Sequence, residues 1–294
     1  MTTEQRLPVE AFSDYLYSCL PAAEGWLQRR LIEAMRSGLL PPGKFFRARL
    51  MLCACACCGG RAEDAFAFAA ALEMIHAYSL VHDDLACMDD ADTRRGAPAV
   101  HRLYGEAFGV LAGDALLTEA FAVAAAAPLP GELTVRCIGE LARLAGWRGM
   151  AGGQSVDVES EQDGLHLTVE QLLDMYRMKT GALFAAAVRI GCLAGGAFAQ
   201  PRVLEAATAF GENLGIGYQI LDDLLDLCGD PAKLGKPVGA DSRNQKRPIT
   251  AHYDPAHCRA LLGQYRLLAE RAAADIPSSA PLMDLLKQAL DREY

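Results

Sequence analysis

The sequence predicts an all-α protein: a single-domain bundle of long helices, spanning residues 1–294. Three observations point there. Apolar residues make up 52% of the chain, enough for a large core and too many for a disordered or low-complexity protein. Aromatics are only 7%, and no stretch alternates with a sustained period of two, which argues against a β-sandwich or barrel. Alanine, the best helix former, is abundant from end to end, and Pro and Gly fall between the alanine-rich runs.

The elements follow from those breakers. Pro21 and the run Gly38 to Gly43 separate two early helices from a third, which Gly59–Gly60 ends. A long helix is expected from about Glu63 to at least Leu85. Another covers about Gly109 to Ala127 and is stopped by Pro128 and Pro130. Helices are expected near Glu132–Arg148, Thr168–Met178 and Ala182–Gly195. The next begins at Pro201, a good first-turn residue, and runs to about Cys228. Gly229, Pro231, Gly235, Pro237 and Gly239 mark a loop, and the tail is helical again from about His257. No linker and no repeat of fixed period is visible.

The net charge is −9, which argues against nucleic acid as a partner. The N-terminus has no basic stretch followed by an apolar one, so no signal peptide is visible. Glu73 and His76 interrupt one apolar stretch and Arg189 another, so the chain is expected not to be membrane-spanning. It reads as cytoplasmic, with its ten cysteines reduced. Cys53, Cys55, Cys57 and Cys58 crowd together without a CxxC pair or a nearby His; the plain reading is small apolar residues at a buried helix end.

Two acidic clusters carry the chemistry. Asp83-Asp84 is followed by Asp89-Asp90 and then Arg94-Arg95-Gly96, and the second cluster is Asp222-Asp223-Leu224-Leu225-Asp226. A solvated helix end would explain either one alone. Both lie in apolar helical sequence, however, where a carboxylate is costly unless paired or bound to metal. Asp222 and Asp226 share a helix face, with Asp223 flanking at roughly 100°. Carboxylates this close repel unless cations hold them, and hard oxygen ligands suit Mg²⁺. Asp83 and Asp89 stand roughly 240° apart on an ideal helix, so the helix must loosen or end near Ala86–Met88 for them to act together.

Basic residues complete the set. Lys44 and Arg47 sit at an expected helix start, a natural anion site. Arg94 and Arg95 suit bidentate phosphate binding. Lys179 with Thr180, and Lys236 in the Gly/Pro loop, are further candidates. His76 lies nearly two turns before Asp83, on the same stripe. Each of these alone would read as a solvated surface residue or a structural His.

From Gly43 to Asp241 the sequence resembles the trans-prenyl diphosphate synthases. The segment Ala71-Leu72-Glu73-Met74-Ile75-His76-Ala77-Tyr78-Ser79-Leu80-Val81-His82-Asp83-Asp84, continuing through Asp89-Asp90 to Arg94-Arg95-Gly96, is similar to that family's first aspartate-rich motif in its bacterial form. Gly113-Asp114-Ala115-Leu116-Leu117, Gly152-Gly153-Gln154, Lys179-Thr180-Gly181 and Gln219-Ile220-Leu221-Asp222-Asp223 match in the same order.

The resemblance implies an isoprenoid synthase-like helical fold, a homodimer, and condensation of isopentenyl diphosphate with an allylic diphosphate (dimethylallyl or geranyl). Asp83, Asp84, Asp89, Asp222, Asp223 and Asp226 would hold magnesium, about three ions per active site, against the allylic diphosphate. Arg94, Lys179 and Lys236 would contact the same diphosphate, and Lys44, Arg47, His76 and Arg95 would bind isopentenyl diphosphate. Thr180 and Gln219 would line the space where the allylic cation forms. Tyr78 and Ser79 would set product length, and the bulky Tyr78 looks like the fifteen-carbon synthases; a twenty-carbon synthase is the alternative. A class I terpene cyclase and an inactive subunit of a heteromeric synthase are the rivals, the first opposed by the second Asp-rich motif and the second by both motifs being intact. Three positions depart from the family. Phe45 stands where a basic residue is usual, and Ala48 and Ala86 where Pro is usual. Lys246 is assigned no role.

Overall fold

The computed structural model describes residues 8–40, 43–162, 164–228 and 248–292. The chain forms α1 (Val9–Ser18), α2 (Arg29–Leu39), α3 (Phe46–Cys57), α4 (Phe66–Asp83), α5 (Val100–Tyr104), α6 (Glu106–Ala125), α7 (Gly131–Ala145), α8 (Met150–Gln162), α9 (Val169–Tyr176), α10 (Ala182–Ala194), α11 (Pro201–Cys228), α12 (Pro255–Ala273) and α13 (Ala280–Leu290). Two short strands, β1 (Thr93–Arg94) and β2 (Ala97–Pro98), pair antiparallel around Arg95–Gly96. Both turn residues have positive φ, 54° and 78°, as a two-residue hairpin turn requires.

α4 and α10 form the centre. α4 packs on α2, α3 and α6, and α10 on α3, α7 and α11. Both are apolar nearly all round, the mark of an enclosed helix. Ala67, Ala69, Ala70 and Ala71 are buried, so neighbouring helices approach closely, while Phe12, Phe68, Phe184 and Phe210 fill the wider gaps. A smaller core joins α9, α11 and the start of α12 around Met175, Ile220 and Ile249.

The all-α expectation holds, with local differences. α4 ends at Asp83, two residues early. The helix expected to stop at Arg148 is followed by a further one, α8, which the glycines at 152 and 153 disguised as a loop. Those glycines serve packing: a Cβ on Gly153 would lie 2.2 Å from the Lys179 backbone nitrogen. α9 and α10 are not separate pieces. They run together through one π-helical turn, Arg177–Gly181.

Cys53, Cys55 and Cys57 are buried and free, in agreement with the plain reading. Two helices nevertheless pass a length-and-composition test that buried core helices also pass. Ala62–Asp83 and Glu106–Ala125 are each long and apolar enough to cross a bilayer by length and composition. The first is mostly buried inside the fold. The second, α6, leaves Val110 and Leu111 exposed, next to exposed Leu103 on α5.

Candidate active site

α4 delivers its last residue, Asp83, to the rim of a cleft of about 320 Å³ that opens to solvent. Arg47 from α3, His76, Tyr78, Ser79 and Asp83 from α4, Met150 and Gln154 from α8, and Lys179, Thr180 and Leu183 from the π turn and α10 line it. A second cavity, about 110 Å³, lies on the other side of Lys179 and reaches Asp157, Tyr176, Gln219 and Asp223.

Beyond Asp83 the chain folds back. The backbone N–H of Asp89 donates to the carbonyl of Asp83 at 2.8 Å, and that of Ala91 to Asp84 at 3.1 Å. The helix therefore ends where the spacing of the aspartates required it, without a proline at Ala86. Asp84 is turned inward, 2% exposed, and accepts from Arg94 Nε at 3.0 Å and Nη2 at 2.5 Å. Asp83 stays half-buried on the cleft and Asp89 is exposed.

On α11 the second cluster splits three ways. Asp222 accepts from Arg292 Nη2 at 2.9 Å. Asp223 is 4% exposed; it accepts from Gln219 Nε2 at 3.0 Å, from the Ile249 backbone N–H at 3.1 Å and from the Tyr176 hydroxyl. Asp226 is buried, and its Oδ1 has no hydrogen-bond partner among the described residues. Lys179 is held by Asp157 of α8.

Arg47, His76 and Arg95 gather over one buried carboxylate, Glu73, which also accepts the Ala48 backbone N–H at 3.1 Å. The Arg47 guanidinium lies 4.7 Å over the Phe184 ring, Nη1 donates to His76 Nε2 at 3.3 Å, and Nε is buried without a hydrogen-bond partner among the described residues. Arg95 reaches from the hairpin to lie against Gly43. Burial first, then Arg47, Arg95 and Arg94, hold the His76 pKa well below its ordinary value, so its ring is neutral. A guanidinium only donates, so His76 accepts at Nε2 and carries its proton on Nδ1. Burial raises the Glu73 carboxyl, while Arg47, the Ala48 N–H and Arg95 pull it back. A buried cationic group with one carboxylate beneath it and an unfilled N–H is a site for an anion.

Lys44 lies exposed at the start of the same segment, and Phe45, where the resemblance led one to expect a base, is buried edge-on against Phe12. Lys236 and Lys246 lie outside the described residues.

The site can be tested for a divalent cation. The orphan oxygen of Asp226 and the oxygen-only donor set fit a hard ion. No three His, Cys, Asp or Glu side chains among the described residues converge to hold an ion by themselves. Mg²⁺ is usually held by one or two carboxylates and completes its shell with water and a substrate phosphate.

A family model described as polyprenyl synthetase matches residues 28–261. The farnesyl diphosphate synthase of Escherichia coli is 39% identical over 95% of this chain and 94% of its own. The chain belongs to the polyprenyl synthetase family. A geranylgeranyl diphosphate synthase of Cyanophora paradoxa is 38% identical over 84% of this chain and 81% of its own. The geranyltransferase of Helicobacter pylori, solved with magnesium and isoprenyl diphosphate, superposes with a TM-score of 0.85 at 28% identity, covering 99% of this chain and 98% of that one.

Within this family fold, several functional neighbours escaped the sequence reading. Asp157, Tyr176, Phe184 and Arg292 each hold a predicted site residue, yet they sit in ordinary helical sequence. Only Glu73 carried a signal, as a lone acid in an apolar run.

Proposed function

We propose that the protein is a trans-prenyltransferase that condenses isopentenyl diphosphate with dimethylallyl and geranyl diphosphate to give farnesyl diphosphate. The observation that carries this is the joining, in one cleft, of Arg47 and His76, with Arg95 beside them, to Asp83 at the carboxylate end of α4.

Asp83, Asp89, Asp222 and Asp226 are the carboxylates suited to hold magnesium. Asp84 and Asp223, expected from the sequence to be ligands as well, are better read as supports because both are buried, 2% and 4% exposed, and turned onto protein donors. When bound, magnesium neutralises the leaving diphosphate of the allylic substrate; the count of about three ions is part of this proposal. Lys179, steered by Asp157, adds positive charge on the same side. Arg47, Arg95 and Lys44 bind the diphosphate of isopentenyl diphosphate, and neutral His76 donates its remaining N–H. Thr180 and Gln219 turn dipoles toward the carbon that loses the leaving group, and the apolar wall of Met150, Leu183 and Tyr78 excludes water from the cation. No side-chain nucleophile is needed. The departing diphosphate takes the final proton.

A twenty-carbon product is the second reading: Ser79, a small residue, shares the wall with Tyr78. The anion site weighs against a cyclase, which has no use for isopentenyl diphosphate. The exposed apolar side chains Leu103, Val110 and Leu111 support the homodimer. A cytoplasmic location and one domain over the whole chain complete the reading.

Asp83→Ala or Asp222→Ala should keep the helical circular dichroism and lower turnover by about 10²-fold or more, and EDTA should stop the wild type. Full activity in either variant or in EDTA contradicts the metal assignment.

A further inference from the structure

We propose that Asp223 is a positioning residue: through the amide of Gln219 it forces the Thr180 hydroxyl to present its lone pairs, not its proton, to the cleft. The inference rests on the prenyl-transfer reading above and adds a device that sets the sign of the dipole facing the cation.

The chain of contacts is directional. Asp223 is buried, and its Oδ2 is taken by the Tyr176 hydroxyl and by the Ile249 backbone N–H at 3.1 Å. A backbone N–H can only donate, and burial followed by the neighbouring Asp223 charge holds the Tyr176 phenol well above its ordinary pKa, so it keeps its proton. Asp223 thus acts as acceptor, and Gln219 must turn its NH₂ toward Oδ1, at 3.0 Å. This orientation follows from the partners rather than from how an amide is assigned. The opposite end of the amide, Oε1, then faces Thr180 Oγ1 at 3.1 Å. An amide oxygen can only accept, so the Thr180 proton is spent there. Thr180 also lines the cleft, and what its oxygen has left to offer on that side is lone-pair density.

A carboxylate placed behind the amide therefore fixes a fully determined relay, Asp223 to Gln219 to Thr180. Preorganised dipoles of this kind act without reorganisation when charge develops. The same contacts explain why Asp223 is turned away from Asp222 and Asp226 although it is their neighbour in sequence. It belongs to the wall of the second cavity, behind Gln219.

Asp223→Asn tests the relay. The introduced amide keeps its oxygen for Tyr176 and Ile249 and offers NH₂ to Gln219. Gln219 then flips, and the Thr180 proton is pushed into the cleft. Two probes are titrated calorimetrically with Mg²⁺: geranyl S-thiolodiphosphate, whose chain is neutral, and a 3-aza geranyl diphosphate, whose protonated nitrogen carries charge in the chain. Asp223→Asn should cost the cationic probe about tenfold in affinity or more while the neutral probe changes by less than about twofold. Turnover should fall about 10²-fold with both KM values nearly unchanged. The double variant Asp223→Asn/Gln219→Glu restores the relay with the charge moved one residue, so the preference for the cationic probe should return. Gln219→Leu, which cuts the relay and leaves Asp223 in place, should lose that preference even if Asp223→Asn fails to fold. An unchanged preference in Asp223→Asn or Gln219→Leu, or no recovery in the double variant, overturns the inference. A wild type that forms no condensation product overturns instead the functional reading on which it rests.

Discussion

Arg292 donates through Nη2 to Oδ1 of Asp222 at 2.9 Å, while Nη1 donates to the Tyr218 hydroxyl at 3.1 Å and the guanidinium lies 4.0 Å over the Tyr218 ring. A carboxylate suited to hold magnesium is thus already paired with a cation from the C-terminal end of the chain. If Asp222 holds magnesium as proposed, this pair would compete with the metal for the carboxylate.

Arg292→Gln should therefore lower the Mg²⁺ concentration for half-maximal activity, by about two- to fivefold given a partly exposed pair. A magnesium titration at fixed substrate checks this. A higher requirement would mean that Arg292 orients Asp222 for the metal.

Arg47 and Arg94 should behave differently. Arg47 keeps an unfilled N–H in the anion site, so Arg47→Ala should raise KM for isopentenyl diphosphate by about tenfold or more and KM for the allylic substrate far less. Arg94 is the partner of buried Asp84, so Arg94→Ala should leave that charge unpaired. It should lower stability by about 1–3 kcal/mol, discounted for the partial exposure of Arg94, and lower kcat. Steady-state kinetics for both substrates and denaturant titrations separate the two. Equal effects of both variants on both substrates would show that the two sites are wrongly divided.

His76 makes a statement about pH. Its folded-state pKa is depressed, mainly by burial and then by the three arginines around it. Above about pH 6.5 the ring is neutral in both states and its contribution is complete. Below that, the unfolded chain takes up a proton that the folded site resists, and stability falls until the folded pKa is reached. The slope is at most about 1.4 kcal/mol per pH unit. His76→Gln removes the titration, so its stability should fall less steeply than the wild type's between pH 6.5 and 5. Parallel curves in urea unfolding would contradict the neutral ring.

The helices were legible because breakers and alanine runs are local signals. So was the end of α4, since Asp83 and Asp89 cannot share a face of an intact helix. Met150–Gln162 was not legible: the glycine pair reads as a breaker until Gly152 is seen packed against the Trp147 backbone and Gly153 against that of Lys179. Arg47, His76 and Arg95, which the resemblance groups, lie close together in the fold. The division of labour among the aspartates was hidden, because it depends on partners far along the chain. Asp223 meets Tyr176, 47 residues away, and Asp222 meets Arg292, 70 residues away. Spacing alone gave neighbours equal roles, and burial separates them.

Tyr78 and Ser79 line the cleft one turn before Asp83, and Tyr78 lies edge-on to His82 at 5.8 Å. Tyr78→Ala should open apolar depth and shift product toward twenty carbons or more, with magnesium dependence kept. Ser79→Phe should shorten product. Chromatography of the dephosphorylated alcohols reads both, and an unchanged product from Tyr78→Ala would place the floor of the pocket elsewhere.

Incubation of the purified protein with Mg²⁺, isopentenyl diphosphate and either dimethylallyl or geranyl diphosphate, followed by sizing of the products, tests the central claim most directly. The account predicts farnesyl diphosphate as the main product from both allylic substrates, and none when isopentenyl diphosphate is left out. A mainly twenty-carbon product would contradict the chain length assigned here, and the absence of any elongated product would contradict prenyl transfer itself.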